Sequence, residues 1–99
     1  MLNIIKTVEN GKAVFTLEGR LDTTTASALE KELAESLEGV SELCFDFAGL
    51  DYISSAGLRV LLAAQKTMNR QGEMKIVHAG EIVREVFDVT GFSDILTIV

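Results

Sequence analysis

Two adjacent serines, Ser54 and Ser55, stand where a strand-like apolar run gives way to a helical repeat. Phe45, Phe47 and Leu50 read as a strand and its exit. From Leu58 the apolar residues recur at Leu58, Leu61, Leu62 and Ala64, on a helical period. Both serines therefore lie at or beside a helix N-terminus. Unpaired backbone N–H groups point outward there, and the helix dipole favours negative charge. A serine hydroxyl at this place can cap the helix, a role worth roughly 1 kcal/mol. A phosphate esterified to it would be stabilised by the same N–H groups. It would bring roughly −1.5 to −2 units of charge and three acceptor oxygens. On residue chemistry alone, capping is the commoner use of such a serine.

The neighbouring residues carry paired readings too. Gly57 can admit the close approach of a partner or serve the turn into the helix. Glycine in a first helical turn costs stability, which favours a steric role. Arg59, expected on the exposed first turn, can hold a phosphate or a partner carboxylate, or be solvated. Asp22 can contact a partner, or cap a helix beginning near Thr24. His78 is the single histidine, without a second ligand at metal spacing, and a structural or exposed role is expected. Cys44 sits in the most apolar strand and reads as a packed thiol. A serine hydrolase would need a base and an orienting acid. Ser54-Ser55-Ala56-Gly57 is not Gly-x-Ser-x-Gly, and His78 is the only candidate base, so no enzyme is expected. No residue set implies a metal or cofactor.

The composition limits the partners. The chain has 99 residues, 47% of them apolar, 24% charged, with no proline and a net charge of −6. One domain spanning residues 1–99 with an aliphatic core follows. The basic residues are scattered, so no stripe exists to track a nucleic-acid backbone. An acidic surface speeds encounter with a basic partner surface, and it also simply keeps a small protein soluble. A single cysteine allows no internal disulfide, which suits a reducing compartment. Without a signal-peptide pattern or an apolar run of membrane-spanning length, the expectation is a cytoplasmic protein with no direct membrane insertion.

The elements that position the serines follow from period and punctuation. Asn10-Gly11, between two β-branched runs, predicts a hairpin. Ala26, Leu29, Leu33 and Leu37 give a first helix, with Gly39 past its end. Glu42–Ala48 shows little alternation and predicts a strand covered on both faces. The second helix is expected from about Ser55 to Arg70, stopped by Gly72. A short strand over Met74–Ala79 precedes a short helix over Glu81–Val89, with Ile82, Val83, Val86 and Phe87 inward. A final strand is expected over Ile95–Val99. The order ββαβαβαβ implies an α/β fold with helices packed on a mixed sheet. Burial of Leu43, Phe45, Leu61 and Val77 is part of that expectation.

The stretch Asp46-Phe47-Ala48-Gly49-Leu50-Asp51-Tyr52-Ile53-Ser54-Ser55-Ala56-Gly57-Leu58 resembles the signature of the STAS domain family, of the bacterial anti-sigma factor antagonist type. Gly19-Arg20-Leu21-Asp22 resembles the family's Gly-x-Leu/Ile-Asp at the end of its second strand. The resemblance implies an antagonist that binds an anti-sigma factor which is also an ATP-dependent serine kinase. It implies inactivation by phosphorylation and resetting by a phosphatase. Ser55 matches the phosphorylated serine, with Ser54 the second choice. Asp22, Ser54, Ser55, Ala56, Gly57 and Arg59 form the expected partner surface. Two residues depart from the family pattern: Ser54 stands in place of Asp, and Ala56 in place of Ser or Thr. The usual C-terminal helix is absent after Val99. These departures sustain an alternative, a STAS adaptor of a transporter or signalling assembly without a phosphorylation cycle.

Overall fold

Asn10 and Gly11 turn the chain between β1 (Leu2–Glu9) and β2 (Lys12–Leu21). In the computed structural model, which describes residues 1–99, both turn residues have positive φ, 52° and 77°. A two-residue type I′ hairpin requires that combination, and Asn-Gly supplies it with little strain. The ladder that follows is antiparallel and closes on Glu9 opposite Lys12. After β2 come α1 (Ala26–Ser36), β3 (Glu42–Ile53), α2 (Ser55–Gln71), β4 (Glu73–Val77), α3 (Glu81–Thr90) and a 3₁₀ turn at Phe92–Asp94. The sheet order is β1-β2-β3-β4. β3 runs parallel to both β2 and β4, so each crossover carries a helix.

Alternation along the strands decides where the core lies. Ala13, Phe15 and Leu17 of β2, Leu43, Phe45 and Phe47 of β3, and Met74 and Ile76 of β4 are buried on one face. Leu29 and Leu33 of α1, Leu58, Leu61 and Met68 of α2, and Val83 and Phe87 of α3 join them in one cluster. Phe15, Phe45, Phe47 and Phe87 follow one another with ring centroids 5.8, 5.8 and 6.4 Å apart. Tilted pairs at such spacing add about 0.5–1.5 kcal/mol each beyond area burial.

Three expectations need correction. β3 is covered on one face: Cys44 and Asp46 alternate with its core residues and stay half-buried on the face without helices. The unbroken apolar look of Leu43–Phe47 arises because Cys44 fills an outward position with an apolar-like side chain. The closing strand over Ile95–Val99 is reduced to one parallel bridge, Ile76 to Ile98. Ile76 N–H donates to the Thr97 carbonyl and Val99 N–H to the Ile76 carbonyl, both at 2.9 Å, and no further ladder bond ties this segment to β4. Val77 and Ile82, expected in the core, lie outside it. Val77 is half-buried, being out of phase with Met74 and Ile76, and Ile82 is 62% exposed on α3. Leu43, Phe45 and Leu61 are buried as expected.

Candidate functional site

β2 and β3 finish together, Leu21 opposite Ile53. One further backbone bond carries the register past the sheet: Ser54 N–H donates to the Leu21 carbonyl at 2.9 Å. Asp22 and Ser54 consequently emerge on the same rim. Ser54 keeps an extended backbone and is the N-cap of α2. Its Oγ accepts from Gly57 N–H at 3.5 Å, a long bond, while its carbonyl accepts from Leu58 N–H at 2.9 Å. Ser55 is the first residue of the helix, and it is exposed. No acidic side chain lies in this first turn to oppose an anion. The Ser55 hydroxyl forms no hydrogen bond within the chain.

The other expected site residues take different parts. Ala56 is half-buried and packs on the core. Gly57 is buried, and a Cβ there would meet Leu21 Cγ at 2.7 Å and Ile53 Cγ1 at 2.9 Å. Its lack of a side chain lets α2 press its first turn against the ends of β2 and β3. Arg59 is exposed one turn beyond Ser55 and forms no ion pair within the chain. Asp22 closes the turn that leads into α1, whose N-cap is Thr25. Its Oδ1 accepts from Thr24 N–H at 3.0 Å, Thr24 Oγ1 at 2.8 Å and Thr25 N–H at 3.2 Å. Its carbonyl accepts from Ala26 N–H at 2.9 Å, opening α1. The Thr24 hydroxyl, with the Thr24 and Thr25 N–H groups, holds the Asp22 carboxyl below its ordinary range against a smaller desolvation penalty. Oδ2 is left facing Arg20 Nε at 3.8 Å.

Two pairings lie outside the sequence reading. Arg20 lies over the Tyr52 ring, its guanidinium carbon 4.3 Å from the centroid. On the uncovered sheet face, His78 Nδ1 lies 3.0 Å from Asp46 Oδ1. The Ala48 N–H and this imidazole lower the Asp46 pKa. His78 makes no hydrogen bond to either serine, so nothing in the site pairs a serine with a base. Cys44 is half-buried, and desolvation raises its thiol pKa. That agrees with a packing thiol rather than a nucleophile.

A model of the STAS domain matches residues 3–99. The chain belongs to the STAS domain family. It is 38% identical over 91 residues to BtrV of Bordetella bronchiseptica, provisionally named an anti-sigma factor antagonist. That match covers 90% of this chain and 78% of BtrV. The STAS fold here overlays the crystal structure of an anti-sigma factor antagonist from Mycobacterium paratuberculosis with a TM-score of 0.87 at 22% identity, covering 99% of this chain and 85% of that one. It overlays SpoIIAA of Bacillus, at 17% identity, in its unphosphorylated form with a TM-score of 0.76 and in its phosphorylated form with 0.75. All of this chain and 87% and 91% of those two are covered. No helix of this STAS domain is long and apolar enough to cross a membrane.

Proposed function

We propose that this STAS domain is a cytoplasmic anti-sigma factor antagonist, switched off by phosphorylation of Ser55. Its partner is an anti-sigma factor that is also a serine kinase and supplies bound ATP, and a phosphatase reverses the step. The carrying observation is the division of labour between the two serines. Ser54 Oγ is half-buried and engaged as the cap of α2. Ser55 Oγ is exposed and free of internal hydrogen bonds at the point where helix N–H groups face solvent. The name borne by BtrV, at 38% identity, points the same way.

The chemistry asks little of this chain. Ser55 Oγ forms the new P–O bond, the bond from the γ-phosphorus to ADP breaks, and the hydroxyl proton passes to a base of the kinase. The domain contributes presentation: a rim held by the Leu21–Ser54 bond, a rigid helix start, and no local carboxylate in the first turn. The phosphate then occupies a position the helix terminus already favours, so the fold has little cause to change. Like charge facing a docked partner costs several kcal/mol, which suffices to release it.

Phosphopeptide mapping after incubation with the kinase and ATP tests the register: modification belongs on Ser55 and disappears in Ser55→Ala. Calorimetric titration tests the switch. Ser55→Ala should bind persistently, while phosphorylated protein should bind weakly and melt near the unmodified temperature. Modification at Ser54 would overturn the assignment. Undiminished binding after phosphorylation would end the switch and leave the adaptor reading in its place.

A further inference from the structure

Arg20 and Tyr52 face each other across the β2–β3 ladder. The next pair, Leu21 and Ile53, is buried in the core. Alternation therefore turns Arg20 and Tyr52 to the face that no helix covers, one step before the rim that carries Asp22, Ser54 and Ser55. The guanidinium carbon lies over the ring, 4.3 Å from its centroid. Its side chain is 54% exposed, and its one internal partner is the Asp22 carboxylate, at 3.8 Å from Nε. That separation exceeds hydrogen-bond reach. The Nη donors make no hydrogen bond within the chain. Asp22 is itself held by the threonines, through its other oxygen.

We propose that Arg20, stacked on Tyr52, is the specificity anchor of the docking surface in the antagonist reading and takes a carboxylate of the anti-sigma factor. A guanidinium stacked on an aromatic face presents its fork in plane, ready for a bidentate carboxylate. Stacking also fixes the side chain before contact, so less rotamer freedom is lost on binding. Aromatic and arginine side chains are the residue types that dominate interface energetics. Charge selects the ligand. A guanidinium carrying unengaged Nη donors takes an anion, and a partner carboxylate matches its fork in a chain whose net charge is otherwise −6. The inference also gives the phosphate something to repel. A carboxylate seated on Arg20 lies near the Ser55 rim, where a phosphate would oppose it.

The test is titration of the purified kinase-type anti-sigma factor that binds the wild-type chain, with ADP present, against Arg20 and Tyr52 variants at two salt concentrations. Arg20→Glu should lose about 100-fold or more in affinity, and Arg20→Lys about 10-fold, because a point charge replaces the fork. Tyr52→Leu should lose roughly 3–10-fold, with Tyr52→Phe close to wild type because the ring remains. Melting temperatures should stay near wild type. Reversing the matching acid on the partner should restore binding of Arg20→Glu, a rescue that a merely structural role would not give. Wild-type affinity in Arg20→Glu overturns the anchor, as does loss of affinity that tracks loss of fold. The two proposals separate cleanly. Weakening by Ser55 phosphorylation with silent Arg20 variants leaves the switch and removes the anchor. Sensitive Arg20 variants with silent phosphorylation do the reverse. A STAS chain that binds no such kinase loses both.

Discussion

Gly57→Ala should destabilise the domain, although alanine is the better helix former. The added Cβ would stand 2.7 Å from Leu21 Cγ, 2.9 Å from Ile53 Cγ1 and 3.0 Å from Leu21 Cδ2. The nearest contact falls about 0.8 Å short of an optimal carbon separation of ~3.5 Å. Leu21 and Ile53 are 0% and 1% exposed. Leu21 Cγ and Ile53 Cγ1 move only with χ1, and both side chains are packed in the core, so a rotamer change would exchange this clash for others. Overpacking of this kind costs about 1–3 kcal/mol. The helix-propensity gain of about 1 kcal/mol opposes it and counts for less in a first turn. A net loss of about 1–2 kcal/mol follows, or roughly 5–15 °C in melting temperature for a domain of this size. Paired thermal and urea melts measure it. In a Leu21→Ala background, two of the three close atoms vanish, and the penalty of Gly57→Ala should fall by about half or more, a coupling expected of residues in contact. A Gly57→Ala protein that melts at or above wild type, or an equal penalty in both backgrounds, would refute the packing role of Gly57. It would return that glycine to the partner surface.

Ser54→Ala should cost about 0.5–1 kcal/mol, toward the low end for a cap because its bond to Gly57 N–H is long. Ser55→Ala should stay within about 0.5 kcal/mol of wild type, since its hydroxyl is exposed and unbonded; reversal of that order in urea melts would mean Ser55 is the cap. Acid titration should expose Asp46. Its folded pKa lies below the ordinary 3.8 because the Ala48 N–H and then His78 favour the carboxylate. The stability it contributes is present above the unfolded value and is lost as pH falls through the folded one. Asp46→Asn should therefore flatten the decline of stability below about pH 4, while near-neutral stability falls modestly. An unchanged acid slope would show that the Ala48 and His78 contacts do not favour the Asp46 carboxylate in the folded state.

The residues that begin and end elements are legible because their reasons are local. Asn10-Gly11 supplies two positive-φ positions wherever it lies between strands. Ser54 and Gly72 bracket α2 because capping needs only neighbouring backbone groups. The assignment of Ser55 to the rim follows from the same local grammar, and the STAS motif sharpened it. What depends on distant partners could not be read this way. Whether one or two faces of β3 are covered is settled by crossovers that put all the helices on one side, and Cys44 disguised the alternation. Whether Ile95–Val99 extends the sheet depends on how that segment meets β4, and only a bridge at Ile98 forms. Gly57 looks like any turn glycine until Leu21 and Ile53, brought together by the ladder, fill the space beside it. Arg20 and Tyr52 are far apart in the chain, and they meet because the β2–β3 register shifts twice, between Thr16 and Glu18 and again between Gly19 and Arg20. Local backbone chemistry thus determined the elements and the place of the serines, while the long-range strand register determined which side chains stand beside them.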